Sequence, residues 1–433
     1  MIRSSVRRRH SLSIAVGATT SAVAFAAISG VAIAATPKPA PTAGGNASCA
    51  PSAGVTPTTV TLGWIGPKTG PGAASFVGSA EAAQLRVDQE NAKGGVNGRK
   101  LILKIYDDAT NPNSQISAAT KALQQDDVFG LASTTTIAAM FPTLKDQGIP
   151  VTGFTLPAFG TDRNAFGVTG ATISGNPALA STSVLDALKA QGVTKVAVMN
   201  HVSIAGAAAA NGLAALIPSV PGLTMVLRIA DSAQGTHDAT SEALRIKQSG
   251  ADGLTFNGFV DGAVSIAQAL KQQGVSLKSM YIAGLSDPAN LKSAGGALDG
   301  ALGTNYGTVP VGVNNRAVKT FASGMKAAGL NPYSPAAPIG FLTADLLIKG
   351  LKVAGKCPTR ASFINNLRNV TNYDGGGLLP AKVSFKPGIE PNGDPSLCTW
   401  YMIAKGADLV PAPKADCSAK IIDTSTGKVL LGG

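Results

Sequence analysis

The chain is poor in the residues from which most catalytic and metal sites are built. Its 433 residues include three histidines and four cysteines; aromatics make up 5% and charged residues only 14%. No two cysteines have metal-ligand spacing and no His-x-x-x-His pair occurs, so no metal centre is expected. A Gly-x-Ser-x-Gly elbow, a Walker phosphate loop and a Gly-x-Gly-x-x-Gly turn after a strand are also missing. These absences argue against an enzyme and leave no cofactor to expect. His201, just past a predicted strand, is the one histidine placed where a site could be. Alone, such a histidine is more often a hydrogen-bonded loop residue than a general base. Asp107 and Asp108 have no further ligands near them and are expected to cap the loop that follows.

The formal charge is +12, but Arg3, Arg7, Arg8 and Arg9 supply four of those charges within the first ten residues. Without residues 1–35, which hold no acid, 32 basic residues face 24 acidic ones. The remaining Lys and Arg are scattered, without the runs and interleaved aromatics of a nucleic-acid groove, so no nucleic-acid partner is expected. The basic start, the apolar stretch from Leu12 to Ile33 and the small residues Ala32-Ile33-Ala34-Ala35 read as a signal peptide cleaved near Ala34 or Ala35. Cys49 lies too far downstream for a lipid anchor. The protein is therefore expected in the periplasm, the cell envelope or the medium. There cysteines pair, and of the three possible pairings we expect Cys357–Cys398, with Cys49–Cys417 stapling the termini. Residues 36–56, with Pro37, Pro39, Pro41 and Pro51, read as a flexible leader.

What is abundant is hydrophobic patterning, at 45% of residues. Strands are predicted at 60–65, 101–106, 128–131 and 149–151, with Asn97-Gly98 as a tight turn. Phe76, Ala80, Ala83 and Val87 recur at helical spacing between them, and Ile116, Ala119 and Leu123 do so later. The alternation restarts after residue 171, with strands at 195–199, 224–227, 253–256 and 280–282. Ala263, Ile266, Ala267 and Leu270 form a clear helical stripe. Residues 314–369 read as mostly helical, and 381–385 as strand. Short strands alternating with helices, in two series, predict two α/β lobes, each a parallel sheet covered on both faces.

Several stretches, in order, resemble the type I periplasmic substrate-binding proteins of ABC transporters, in the branched-chain amino acid/amide (leucine-binding) group. They are Gly66-Pro67-Lys68-Thr69-Gly70-Pro71, the segment from Val87 through Asn97-Gly98-Arg99-Lys100, Tyr106-Asp107-Asp108 with Asn111-Pro112, and Asp146-Gln147-Gly148-Ile149-Pro150. The resemblance covers roughly residues 58–400. It implies two doubly wound three-layer α/β/α lobes joined by a three-strand hinge, with a ligand cleft between them. The lobes are expected at 57–170 plus 306–372 and at 171–305 plus 373–433, with crossovers near 170, 305 and 372. The implied partners are a small-molecule ligand and a membrane ABC permease, and the chain is expected to be a monomer. A receptor-like ligand sensor is the alternative, and a secreted hydrolase a more distant one.

Ser133-Thr134-Thr135-Thr136 follows a predicted strand and is expected to open a helix, where backbone N–H groups and hydroxyls can hold a carboxylate. The resemblance matches Thr134 and Thr135 to the carboxylate-binding positions, and it carries over Phe154, Thr155 and the aromatic Phe76. In the second lobe the chain departs from the pattern. Ala205-Gly206 stands where relatives have Tyr-Gly, and Phe259 matches an aromatic. The carboxylate that pairs with a ligand's α-ammonium is present only if Asp287 takes its place; a helix cap before Pro288 is the other role open to it. The expected ligand therefore has a carboxylate or other acceptor end and an apolar body, because an ammonium buried without a counter-charge costs several kcal/mol.

Overall fold

In the computed structural model, residues 49–154, 156–171, 176 and 178–432 are described. The expected signal peptide at 1–35, the expected leader as far as residue 48, and Thr155 lie outside the described residues.

The first series is β1 (Thr59–Gly66), α1 (Ala73–Phe76), α2 (Ser79–Asn91), β2 (Lys100–Asp107), α3 (Pro112–Thr120), β3 (Leu131–Ser133), α4 (Phe141–Asp146), β4 (Val151–Gly153), α5 (Ala158–Thr161) and β5 (Ala165–Gly167). Its strands pair in parallel in the order β2-β1-β3-β4-β5. Alternation along β1 explains the two covered faces. Val60, Leu62 and Trp64 pack on one side, while Ile65 joins Leu131 and Val151 on the other. Asn97 and Gly98 both have positive φ, as the tight turn before β2 requires. The helical stripe from Phe76 is broken at Val77-Gly78, so Phe76 ends its own short helix and Ala80, Ala83 and Val87 belong to the next.

The second series is β6 (Leu179–Ser181), α6 (Ser183–Ala190), β7 (Lys195–His201), α7 (Ile204–Leu216), β8 (Thr224–Ser232), α8 (Thr240–Ser249), β9 (Gly253–Asn257), α9 (Val260–Gln272), β10 (Ser279–Ala283), α10 (Pro288–Ala294) and β11 (Leu302–Thr304). Then come α11 (Arg316–Ala327), α12 (Ala337–Ala354) and α13 (Arg360–Leu367), followed by β12 (Tyr401–Lys405), β13 (Asp408–Pro411), β14 (Ile421–Asp423) and β15 (Val429–Leu431). The second sheet runs β13-β12-β11-β10-β9-β7-β8, parallel from β8 to β11 and antiparallel beyond. A small third sheet, β15-β14-β6, holds the C-terminal segment.

The three helices α11–α13 return to the first sheet. Leu342, Leu346 and Leu347 of α12 join its core, and α12 lies so close to α2 that a Cβ at Gly340 would sit 1.9 Å from the Ser79 carbonyl oxygen. Only glycine fits there. Residues 373–385, expected in the second lobe, pack instead in the first: Tyr373, Val383 and Phe385 belong to its core, and Phe385 meets Phe166 edge-on. The strand expected at 381–385 is a single bridge, Tyr373 to Val383. Beyond it, Arg368 and Asn392 are buried and donate to the carbonyls of Asp162 and Ala165, pinning this return segment beside β5. The Gly170–Pro395 bridge follows, so the third crossover lies nearer 395 than 372.

The disulfides differ from the expected pairing. They join Cys49 to Cys357 and Cys398 to Cys417. The reason is non-local in the first case: Arg99 donates to both Thr56 and Lys356, bringing the start of the described chain to the end of α12. In the second, Thr399 and Asp416 exchange antiparallel hydrogen bonds, which sets their neighbours opposite each other with Cα atoms 4.0 Å apart. Non-reducing peptide mapping should link these pairs. Replacing Cys398 and Cys417 by serine should cost about 3 kcal/mol of stability, measured by denaturant unfolding with the other bond intact.

Candidate functional site

Both parallel sheets carry a switch point, the place where connections leave a sheet in opposite directions and the carboxyl ends of two strands open a crevice. In the first sheet it falls between β1 and β3, and in the second between β7 and β9. The ends of those four strands and the segments that follow them supply most of a cavity of about 150 Å³ between the lobes. From the first lobe come Phe76, Thr136 and Phe154; from the second, His201, Ser203, Ala205, Asn257 and Phe259; and Tyr306 closes it from the crossover after β11. The lobes touch across the cleft. Phe76 meets Phe259 edge-on at 6.1 Å, and Phe154 lies 5.4 Å from Tyr306.

Four of the expected residues thus come together: Phe76, Phe154, Ala205 and Phe259. Thr134 and Thr135 do not line the cavity. No helix opens at Thr136 either, because the chain runs on as a loop and α4 begins only at Phe141. Thr134 continues the ladder by donating its N–H to the Ile65 carbonyl, and its side chain is fully buried. Thr135 donates its hydroxyl to Asp108 Oδ2 (2.5 Å) and accepts from Ile137 N–H, so it holds the loop rather than a ligand. Thr136, one residue on, lines the cavity with a hydroxyl that has no partner. Asp287 faces elsewhere: it caps α10 through Ala289 N–H and accepts from Asn331 Nδ2 at 2.6 Å, across the cleft mouth. As expected, Asp107 and Asp108 cap the loop that follows them, accepting from Ala109 N–H and Thr110 N–H, and Asp107 also accepts from Lys68 N–H and the Thr69 hydroxyl of the loop after β1.

His201, expected to be a hydrogen-bonded loop residue, instead lies on the cavity wall. It is the last residue of β7, only 2% exposed, and neither ring nitrogen bonds another described residue. Its ring stands edge-on to Phe259 at 4.3 Å. Gly206 and Gly258 leave room for it; a Cβ at either would come within 3.1 Å of the ring. Burial among these groups, with no carboxylate beside it, pushes its pKa down to about 4, so it is neutral at pH 7. The Tyr306 hydroxyl is pushed up, mainly by burial, and is also neutral. No residue lining the cavity carries a charge at neutral pH. Among the described residues no group of three or more His, Cys, Asp or Glu is placed to hold a metal ion.

Residues 59–407 match the family model for periplasmic binding proteins. The chain belongs to that family. Among curated relatives it is 26% identical over 314 residues to a Leu/Ile/Val-binding protein homolog of Brucella melitensis, an alignment covering 72% of this chain and 83% of the relative. Solved structures share its fold. One is a fatty acid ABC transporter substrate-binding protein from Thermomonospora curvata, with TM-score 0.72 and 18% identity over 89% of this chain and 98% of that one. Another is a solute-binding protein of an ABC transporter from R. palustris in complex with benzoate, with TM-score 0.67 and 18% identity over 83% and 97% of the two chains. Membership of the periplasmic binding protein family implies export. No helix among the described residues is long and apolar enough to cross a membrane.

The neighbouring threonines should separate cleanly by mutation. Thr135→Val leaves the buried Asp108 short of a donor and should cost about 1–3 kcal/mol of stability. Thr136→Val should not lower the unfolding midpoint, because its buried hydroxyl bonds nothing in the protein. His201 should also mark the pH profile. Its folded pKa lies below the unfolded value of 6.5, so the unfolded chain binds the proton more tightly. Its contribution is full above pH 6.5 and lost as pH falls towards 4, amounting to about 3 kcal/mol. Urea unfolding of His201→Gln should show that much less loss than the wild type over this interval.

Proposed function

We propose that this protein captures a small organic acid with an apolar body in the cleft and delivers it to an ABC permease. One observation carries the choice of ligand: a cavity walled by Phe76, Phe154, Phe259 and Tyr306 has no carboxylate in it. An amino acid's α-ammonium placed there would be buried without a counter-charge, at a cost of several kcal/mol. Asp287, the one candidate for that charge, is committed to α10 and Asn331. What the cavity offers instead is the unpartnered hydroxyl of Thr136 and the unpartnered imidazole of His201. The size agrees, since an apolar space of this volume takes a body about as large as benzene. The two related folds are described in terms of a fatty acid and of benzoate, both carboxylic acids.

Delivery requires that the ligand favour the closed arrangement, because equal affinity for open and closed states shifts nothing. The lobes hinge at the crossovers near 170, 305 and 395, and closure is held by Phe76 against Phe259, by Asn331 on Asp287 and by the Ser286 hydroxyl on the Tyr333 carbonyl. Cleavage near Ala34 or Ala35 frees the chain as a monomer in the periplasm or envelope.

The test is a thermal-shift screen of leucine, benzoate and straight-chain carboxylates against the full mature chain. Stabilisation by acids and none by leucine is expected, and selective capture of leucine would refute the ligand class. Ala205→Phe should fill the cavity and abolish the shift, whereas Thr136→Val should weaken binding about tenfold.

A further inference from the structure

The cleft contains an unusual charge balance for a site that takes an anion. A carboxylate moved from water into an apolar enclosure needs an opposite charge or several donors. No Lys or Arg lines this cavity, and besides Tyr306 its single titratable side chain is His201. We propose that His201 is the acid-recognising residue, and that closure on a carboxylate ligand takes up one proton to make an imidazolium–carboxylate pair. The proposal rests on the organic-acid reading above and deepens it. The balance is simple: neutral imidazole, carboxylate and one solvent proton become imidazolium and carboxylate in contact, with no other bond made or broken.

The geometry supports this assignment in three ways. The ring packs against Phe259, Gly206 and Gly258, so its nitrogens are held in place without being used. None of the groups around it competes for the proton. On β8 its partner is Ser232, whose hydroxyl is unpartnered, and on β9 Asn257 donates to the Met199 carbonyl. Arg228 of β8, the nearest strand cation, is spent on Asn200, Asn211 and the Ile229 carbonyl. Asp261, in the first turn of α9, accepts from the Gly262 N–H, and across the cleft the facing groups are Thr136 and Phe76. In the ligand-free protein burial keeps the imidazole neutral, which leaves it free to gain a proton when an anion arrives.

The experiment is calorimetric titration of the full mature chain with benzoate, hexanoate and the neutral benzamide, in phosphate and in Tris, from pH 6 to 8. The expected result for the acids is an uptake close to one proton at pH 7 and about tenfold weaker binding for each pH unit of rise. His201→Gln, checked for an unchanged fold by circular dichroism, should lose both the proton uptake and the slope, and its binding of benzamide should be as independent of pH as the wild type's. Acids that bind with no proton uptake overturn the proposal and leave the ligand class standing, as does a slope that survives in His201→Gln. Failure of both acids, with benzamide bound instead, overturns both.

Discussion

Everything specific about this molecule follows from one topological constraint, the reversal of winding within a parallel sheet. Where β1 meets β3, and again where β7 meets β9, the following helices depart to opposite faces and cannot cover the strand ends. Each sheet is therefore incomplete at one point, and the chain sets the two gaps against each other. The segments that fill them, among them the loop 134–140 and the turn at 202–203 that opens α7, carry Thr136, Ser203 and Ala205. The rest of the fold, including the return of α11–α13 to the first sheet, serves to hold the two gaps in register.

Within the cleft, desolvation decides what each side chain can do. Polar groups that find partners become structural: Thr135 with Asp108, Ser203 with Gly206 N–H, Asp287 with Asn331. Of those that find none, Thr136 and His201 line the cavity and are able to bind something else. The same rule separates Arg368 from a binding role. Although buried, with a pKa lowered by that burial to about 9, it donates to carbonyl oxygens and lies over Phe166 at 4.0 Å.

Much of this was legible in the chain itself. The parallel strands with long apolar runs, such as β1, β2, β7 and β9, fall where hydrophobic alternation puts them, and the aromatic walls Phe76, Phe154 and Phe259 follow from the family resemblance. What failed was whatever depends on direction or on distant neighbours. β3 has only three residues, so the facing of Thr134, Thr135 and Thr136 is set by a loop and not by a pleat. Ile116, expected on a buried stripe, is exposed because α3 turns its Ala118 and Ala119 inward. His201 resembles any loop histidine until the glycines and Phe259 are brought round it. The cysteine partners depend on where α12 ends and on the Thr399–Asp416 pairing, neither of which is a local property.

The actual disulfides have a mechanical consequence. Cys49–Cys357 lies wholly among elements of the first sheet, and Cys398–Cys417 joins two segments beside the second. The other arrangement, Cys357 with Cys398, would have bolted one jaw to the other and frozen the bite. As built, each bond ties together segments of a single lobe, and neither clamps the first sheet to the second.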